Sequence, residues 1–330
     1  MTEVKRVFVL GAGFSAAAGL PTITNLFERM LALQDSYSRD PDDYDDLRRN
    51  VTFFYPDTDL SHPSSYPNFE EFLSLLEISR DFQEDSDIYP GSTRNFDRYY
   101  NRTMSILGHT ITTCQNEVNF ENESHLRQFV ESLISNDTII SFNWDTLVER
   151  QAERIQKKID LDGRQNRPQL LKLHGSLSWV WVDRSTGTSN YLVPMDCRTE
   201  EGQLYRSSDH SLLDTWTGLD RPPFIVTPIA RKTPLKTTFV KRLWDTAMEA
   251  IVNASTVYVI GYSLPPQDYH ARAMLRNAID AKERRDGMAR LVVINPDENV
   301  ANRFAQYVHR GCERIVQCFS AELIDGGLER

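Results

Sequence analysis

Val7-Phe8-Val9-Leu10-Gly11-Ala12-Gly13-Phe14-Ser15 is an apolar run that passes directly into a glycine turn. A continuous run of β-branched and large apolar residues is typical of a strand that is covered on both faces. The glycines allow the backbone to approach a phosphate closely, and a following helix would offer its N–H groups to that ligand. The pattern G-x-G-x-x-G is incomplete because Ala16 stands in place of its third glycine. A nucleotide site and a tight structural turn therefore both explain this segment.

Further apolar segments of the same kind recur along the chain and predict a sheet. The strand candidates are Val7–Leu10, Thr138–Phe142, Leu170–Leu173, Phe224–Val226, Thr256–Ile260, Leu291–Asn295 and Arg314–Phe319. Helical patterns separate the later ones, over Thr238–Ala254, Asp268–Ala281 and Glu298–His309. This alternation predicts right-handed βαβ units around a mostly parallel sheet. We expect an α/β protein with a doubly wound, Rossmann-like sheet.

The region 31–131 interrupts the alternation of strands and helices. Residues 34–68 are rich in Asp, Tyr, Ser and Pro and are predicted to be irregular. The apolar residues from Phe69 to Phe82 fall mainly on one helical face, and two more helices are predicted over Arg94–Glu117 and Ser124–Ser135. We predict one domain over residues 1–330, with a core of 1–30 and 132–330 and a helical insertion of 31–131. A second excursion, Trp179–Arg221, is expected to fold over the site as loops or a hairpin.

Composition excludes several classes of protein. The 330-residue chain has 40% hydrophobic and 25% charged residues and a formal net charge of −10, which is ordinary for a soluble protein and unlike a direct nucleic-acid binder. No apolar stretch approaches the roughly 20 residues of a membrane span, and no signal-peptide core follows Met1. We expect a cytoplasmic protein without membrane contact. The four cysteines form no Cys-x-x-Cys pair, so neither a zinc site nor a disulfide framework is expected.

Polar residues follow several of the predicted strands. Asn143 and Asp145 come after the strand at 138–142, and His174 comes after the strand at 170–173. In an open parallel sheet, ligands bind at the carboxyl ends of the strands. An amide can hold a hydroxyl or a water, a carboxylate can accept an amide N–H, and an imidazole is a base near neutral pH. Taken alone, Asp145 is better explained by helix capping, which explains Asn143 less well, and turn chemistry is an alternative for Ser263 and Asn295.

In their order along the chain, these residues resemble the motifs of the sirtuin superfamily. The turn Gly11-Ala12-Gly13-Phe14-Ser15 is similar to the Gly-Ala-Gly-x-Ser of sirtuins, and Gly19-Leu20-Pro21 to their Gly-x-Pro. Phe142-Asn143-Trp144-Asp145 matches Gln-Asn-x-Asp except at its first position, and His174-Gly175 matches the catalytic His-Gly. Gly261-Tyr262-Ser263 resembles Gly-Thr-Ser, and Ile294-Asn295 resembles a late Ile-Asn. The resemblance implies that NAD is bound by Gly11, Ala12, Gly13, Phe14, Ser15, Pro21, Thr22, Gly261, Tyr262, Ser263 and Asn295.

The chain departs from deacylase sirtuins where those enzymes receive an acylated peptide. It has no Cys pairs for a zinc ribbon, Thr227-Pro228-Ile229 replaces Phe-Gly-Glu, and Thr22-Ile23-Thr24 replaces Asp-Phe-Arg. In this it looks like the sirtuin-like NAD hydrolases of bacterial antiphage systems. That resemblance implies cleavage of NAD to nicotinamide and ADP-ribose, without a metal, by Asn143, Asp145 and His174. The alternatives are a protein deacylase or ADP-ribosyltransferase, and a non-catalytic sensor of NAD or ADP-ribose.

Regulation is also implied by the resemblance. Because a hydrolase that depletes NAD is toxic, its activity needs a trigger. The core and its insertion account for nearly all of the 330 residues, so we expect the trigger to be self-assembly into a homo-oligomer or a partner protein. In the antiphage systems whose NAD hydrolases this chain resembles, one such partner is a HerA-type hexameric ATPase, and another is an Argonaute-containing protein.

Overall fold

The computed structural model describes residues 5–37, 40, 42–84, 95–161, 167–183, 192–198, 202–207, 223–226, 238–287, 290–308, 313–315, 317 and 319. The strands in this part of the chain are β1 (Arg6–Leu10), β2 (Thr138–Ser141), β3 (Gln169–Lys172), β4 (Trp179–Asp183), β5 (Leu192–Arg198), β6 (Gly202–Ser207), β7 (Thr256–Ile260), β8 (Arg290–Ile294) and β9 (Glu313–Ile315). The helices are α1 (Ala12–Ala16), α2 (Leu26–Ala32), α3 (Asp42–Phe54), α4 (Phe69–Glu84), α5 (Phe96–Asn116), α6 (Ser124–Ser132), α7 (Leu147–Arg154), α8 (Thr238–Asn253), α9 (Tyr269–Asp286) and α10 (Glu298–Tyr307).

Six strands form one parallel sheet in the order β3-β2-β1-β7-β8-β9. The chain builds outward from β1 through β2 to β3 and then returns to the other side of β1 with β7. Leu10 at the end of β1 is in register with Ser141 on one side and with Ile260 on the other. The order of the strands therefore reverses beside β1. In doubly wound sheets, ligands bind at such a switch point, outside the carboxyl ends of the strands.

Helices cover both faces of this sheet. On one face Phe8 and Leu10 share a hydrophobic core with α2 to α7, and the Phe8 and Phe129 rings meet edge to face at 5.4 Å. On the other face Val7 and Val9 share a second core with α8, α9 and α10. Alternate residues of β1 thus enter different cores, because successive side chains of a strand point to opposite faces. The predicted doubly wound α/β sheet is confirmed, and the helices from the insertion cover one of its faces.

The prediction that residues 34–68 are irregular was wrong over Asp42–Phe54, which form α3. Tyr44, Leu47 and Val51 are buried at helical spacing and belong to the core of that face. The aspartates that suggested a loop instead face α5. Arg102 of α5 bonds three of them, and the residues involved are Asp40, Asp43 and Asp46. The predicted strand at 224–226 is an isolated bridge, in which Ile225 pairs with Gly175.

The excursion after residue 178 contains a small antiparallel sheet in the order β4-β6-β5. Each neighbouring pair of strands in it is antiparallel, and β5 and β6 are consecutive along the chain. In the part of the chain that the structure describes, no helix has the length and apolar character needed to cross a lipid bilayer.

A backbone contact joins the turns that follow β1 and β7. Gly11 N–H donates to Ile260 O at 3.1 Å, and Gly13 N–H donates to Gly261 O at 2.8 Å. Gly261 has a φ of +63°, and a Cβ placed there would lie 2.2 Å from the backbone nitrogen of Phe14. A side chain at Gly261 would therefore force the two turns apart. The glycine pattern has a packing role at the switch point, whatever it binds.

Replacing Gly261 by alanine should destabilise the protein more than the same change at Gly19. Both residues have positive φ, but a Cβ at Gly19 would meet nothing within 4 Å. We expect Gly19→Ala to lose about 1 to 2 kcal/mol from its backbone conformation, and Gly261→Ala to lose about 1 to 3 kcal/mol more from overpacking. Urea denaturation measures both free energies of unfolding. Equal losses in the two variants would contradict the contact between the turns.

Candidate functional site

A cavity of about 550 Å³ lies at the carboxyl ends of β1, β2, β7 and β8, at the switch point of the sheet. All three predicted catalytic residues line it: Asn143, Asp145 and His174. The predicted NAD-binding residues in its wall are Ala12, Gly13, Ser15, Pro21, Thr22, Gly261, Tyr262, Ser263 and Asn295. The two that do not line it are Gly11, which bonds to β7, and Phe14, whose ring packs on Phe129 at 5.1 Å. Both residues support the glycine turn through contacts outside the cavity.

A chain of buried hydrogen bonds holds the segment after β2 against the turn after β1. Asn143 Nδ2 donates to Gly11 O at 3.0 Å and to Ser15 Oγ at 2.9 Å. Ser15 Oγ in turn donates to Asp145 Oδ2 at 2.7 Å. Asp145 Oδ1 accepts the backbone N–H of Leu147 at 3.1 Å, at the start of α7. Thr146 is the N-cap of α7, so Asp145 lies one residue before the cap, accepts the first N–H of the helix and also lines the cavity.

The carboxylate of Asp145 is buried, and its surroundings disfavour the charged form. Burial raises its pKa, and this effect outweighs Lys172, Ser15 and the Leu147 N–H, which favour the charged form. Lys172 Nζ donates to the backbone carbonyl of Asp145 and lies 3.1 Å from Glu149 Oε1. Its side chain and that of Glu149 are only 3% and 4% exposed. A buried ion pair thus supports the loop that carries Asn143 and Asp145.

His174 lies just after β3, and its Nε2 is 3.1 Å from Asp268 Oδ2. Asp268 is completely buried; it accepts the Tyr262 hydroxyl at 2.9 Å and the N–H of Ala271 at 3.3 Å. The ring of Phe142 is 4.9 Å from the imidazole and stacks on the ring of Tyr262 at 4.4 Å. Burial, together with Asp268, raises the pKa of Tyr262 well above its ordinary value. Tyr262, predicted to bind NAD, uses its hydroxyl to hold Asp268.

Sequence reasoning missed several residues of the cavity wall. Asp268 and Asp297 each precede a helix as its N-cap, which is a visible signal for capping but not for a cavity. Arg303 lies on α10, and its Nε donates to Ser263 O at 3.1 Å. Glu70 of α4 and Ile111 of α5 come from the insertion. No local pattern predicts these two, because only the packing of the insertion on the sheet brings them to the cavity.

Other predictions about the site concern residues only partly described. The described residues of β4, β5 and β6 contribute nothing to the cavity wall. The segment Thr227–Ile229, which differs from the deacylase motif, lies outside the described residues. Among the residues that the structure describes, no group of three or more His, Cys, Asp or Glu side chains could hold a metal ion.

Comparison with known proteins gives little beyond this geometry. No family model and no curated protein matches the chain. Among solved structures, it is similar to that of Sir2Tm bound to a propionylated peptide, with 13% sequence identity and a TM-score of 0.39 over 94% of this chain and 87% of that one. Function has to be inferred from the site itself, since one fold supports many activities.

The variant Asp145→Asn should be more stable than the wild type at neutral pH. The side-chain amide oxygen of the new asparagine can still accept the Leu147 N–H. The substitution also removes a negative charge that folding buries. Because the folded-state pKa is raised, the wild type binds its proton more tightly when folded, and its stability falls as pH rises through that pKa. The advantage of the variant should therefore shrink as pH falls and vanish below the ordinary aspartate pKa, about 3.9.

Thermal unfolding of Asp145→Asn and wild type between acidic and neutral pH measures this difference. A melting temperature lower in the variant at neutral pH, or an advantage that grows toward acid, would contradict the burial of this charge.

Removing one member of the buried ion pair should be costly. Lys172→Met leaves the Glu149 carboxylate buried without its ammonium partner, and we expect a loss of about 3 to 5 kcal/mol. The double variant Lys172→Met, Glu149→Gln removes both charges and should recover most of that loss. Denaturant unfolding of the two single variants and the double variant gives the coupling energy; additive losses would show that the pair does not interact.

Proposed function

We propose that this chain binds NAD in the cavity and hydrolyses its nicotinamide–ribose bond, releasing nicotinamide and ADP-ribose. The observation that carries the proposal is the convergence of Asn143, Asp145 and His174 in one cavity at the switch point of a parallel sheet. These residues follow two different strands, and the amide, carboxylate and imidazole are each 9% exposed or less. Convergent polar groups in one pocket are characteristic of binding and catalytic sites.

The cavity suits a dinucleotide in size and charge. Its volume of about 550 Å³ lies within the range of about 300 to 1,000 Å³ usual for small-molecule sites. Among the described lining residues Arg303 is the one cation, and beside it Ser263 and Asn295 offer polar groups for a diphosphate or a ribose. Several carboxylates line the same cavity, namely Glu70, Asp145, Asp268 and Asp297. Negative groups favour the positively charged nicotinamide ring of NAD.

Hydrolysis breaks the bond between C1′ of the ribose and the ring nitrogen, and nicotinamide leaves with the electron pair. Positive charge develops at C1′, and carboxylates fixed nearby stabilise it. Water supplies the hydroxyl of ADP-ribose and releases one proton, which His174 accepts as general base. The reaction therefore balances as NAD⁺ plus water giving nicotinamide, ADP-ribose and a proton.

We assign Asn143 to hold the attacking water or a ribose hydroxyl, and Asp145 to hold the carboxamide of nicotinamide. The hydrogen bonds of both residues fit these roles. Asn143 uses its Nδ2 to hold Gly11 and Ser15, so Oδ1 is the atom that can accept a bond from the attacking water or a ribose hydroxyl. Asp145 accepts one internal bond on each carboxylate oxygen. Each oxygen has a second lone pair, so Asp145 can also accept the carboxamide N–H of nicotinamide.

We also propose that the activity serves an antiphage defence system as its NAD-depleting effector, and that homo-oligomerisation or a partner such as a HerA-type ATPase switches it on. This extension rests on the sequence resemblance. Light scattering with and without NAD, combined with NAD consumption at increasing protein concentration, tests it. Turnover per subunit that is independent of concentration and of assembly would exclude self-assembly as the trigger.

The catalytic proposal predicts that the purified protein, in its active assembled state, releases nicotinamide from NAD. His174→Ala should lower turnover by about 10²- to 10⁴-fold, the usual contribution of an acid–base group. Asn143→Ala removes the acceptor for the attacking water or ribose hydroxyl and should also lower turnover strongly, and both variants should keep the wild-type circular dichroism. His62→Ala is the matched control, because His62 is exposed, with 72% of its side chain accessible, and does not line the cavity. Chromatography of nicotinamide and ADP-ribose measures the reaction.

The same samples distinguish the alternative functions. Deacylation of an acylated peptide without hydrolysis of NAD alone would favour a deacylase, and binding of NAD without turnover in every oligomeric state would favour a sensor. Full activity of both site variants would remove His174 and Asn143 from the mechanism.

A further inference from the structure

We propose that Asp268 is a positioning residue that fixes the tautomer of His174 and so makes Nδ1 its basic nitrogen. The catalytic consequence of this assignment rests on the proposed function, whereas the tautomer itself does not. The evidence is the contact of 3.1 Å between His174 Nε2 and Asp268 Oδ2, in which both side chains are buried and that of Asp268 is completely so.

The surroundings of Asp268 orient both of its oxygens as acceptors. The Tyr262 hydroxyl donates to Oδ2, and the Ala271 N–H donates to Oδ1 at the start of α9. An ionised carboxylate can only accept hydrogen bonds. With Asp268 ionised, the imidazole nitrogen that faces it carries a proton, and in the neutral ring the other nitrogen keeps the basic lone pair.

Aromatic packing holds the imidazole in this orientation. The Phe142 ring lies 4.9 Å from it and the Trp244 ring lies 6.2 Å from it. Phe142 is stacked on Tyr262, which also bonds to Asp268. The imidazole and its carboxylate are thus linked through the same pair of buried rings, Phe142 and Tyr262.

The backbone that leads to Asp268 is itself held in an uncommon conformation. Leu264 is buried and has a φ of +53°, a region that residues other than glycine seldom adopt. Such conformations persist only where the surrounding structure enforces them, and they concentrate at functional sites. This loop connects the switch-point glycine, Gly261, to the carboxylate that contacts His174.

The variant Asp268→Asn separates the positioning role from a structural one. The Ala271 N–H still needs an acceptor, so the amide oxygen should take the place of Oδ1. The amide nitrogen then replaces Oδ2 and donates toward His174 Nε2. This inverts the tautomer, with the proton on Nδ1, while the cap of α9 and the shape of the side chain are retained.

The decisive measurement is long-range ¹H–¹⁵N correlation NMR on protein labelled at its seven histidines, with the His174 signals assigned from a His174→Gln variant. At about pH 8, above the ordinary histidine pKa of about 6.5, wild-type His174 should carry its proton on Nε2 with Nδ1 unprotonated. Asp268→Asn should show the opposite tautomer. A protonated Nδ1 in the wild type, or an unchanged tautomer in the variant, would overturn the assignment.

Kinetics test the consequence for the reaction. Asp268→Asn should lower kcat for NAD hydrolysis by about 10²- to 10⁴-fold, the effect of a wrong imidazole tautomer, with KM changed by less than about 3-fold. The matched control is Asp137→Asn. Asp137 is also buried, and it pairs with Arg6 at the amino ends of the strands, away from the cavity. The control variant should lose stability but keep the wild-type tautomer and kcat.

The two measurements separate failure of this inference from failure of the proposed function. If the wild-type protein has the expected tautomer but hydrolyses no NAD in any assembled state, the proposed function fails and the assignment of Asp268 stands. If it hydrolyses NAD and Asp268→Asn retains full kcat, the positioning role is excluded. The wild-type spectrum decides the tautomer even if the variant does not fold.

Discussion

The site depends on the close contact of two turns, where Gly13 N–H donates to Gly261 O. Because β1 lies between β2 and β7, the turns after β1 and β7 meet at the switch point of the sheet. Any side chain at Gly261 would separate them. The residues that follow each glycine are placed by this contact: Ser15 on one side of the cavity and Tyr262 on the other.

Two buried chains of polar contacts extend from these turns into the cavity wall. From Ser15, one chain reaches Asn143 and Asp145. From Tyr262, the other reaches Asp268 and then His174. Burial of a polar group is unfavourable unless it is hydrogen-bonded, and a connected network makes each position depend on its neighbours. The geometry of the candidate catalytic groups is therefore a property of the switch point and not of any single loop.

The parts of this arrangement that depend on local pattern were predictable from sequence. Buried parallel strands have continuous apolar runs, and the residue after each strand must lie at the carboxyl edge, which places Asn143 and His174 correctly. Helix α3 was missed because its aspartates are matched by Arg102, almost sixty residues further along the chain. Asp268 could be recognised as a helix cap, but its contact with His174 joins the segments after β3 and β7, which β2 and β1 separate in the sheet. Glu70 depends on how the insertion packs.

The glycine turn shows why a motif need not have a single explanation. A nucleotide site and a tight structural turn are alternatives when only the sequence is considered. In the structure the backbone of Gly13 both bonds to Gly261 and lines the cavity. The same lack of a side chain serves both purposes, because a Cβ would obstruct the neighbouring turn and would also keep a ligand from the backbone. Packing at the switch point and the proposed ligand binding thus require the same residue, and evidence for the first is no argument against the second.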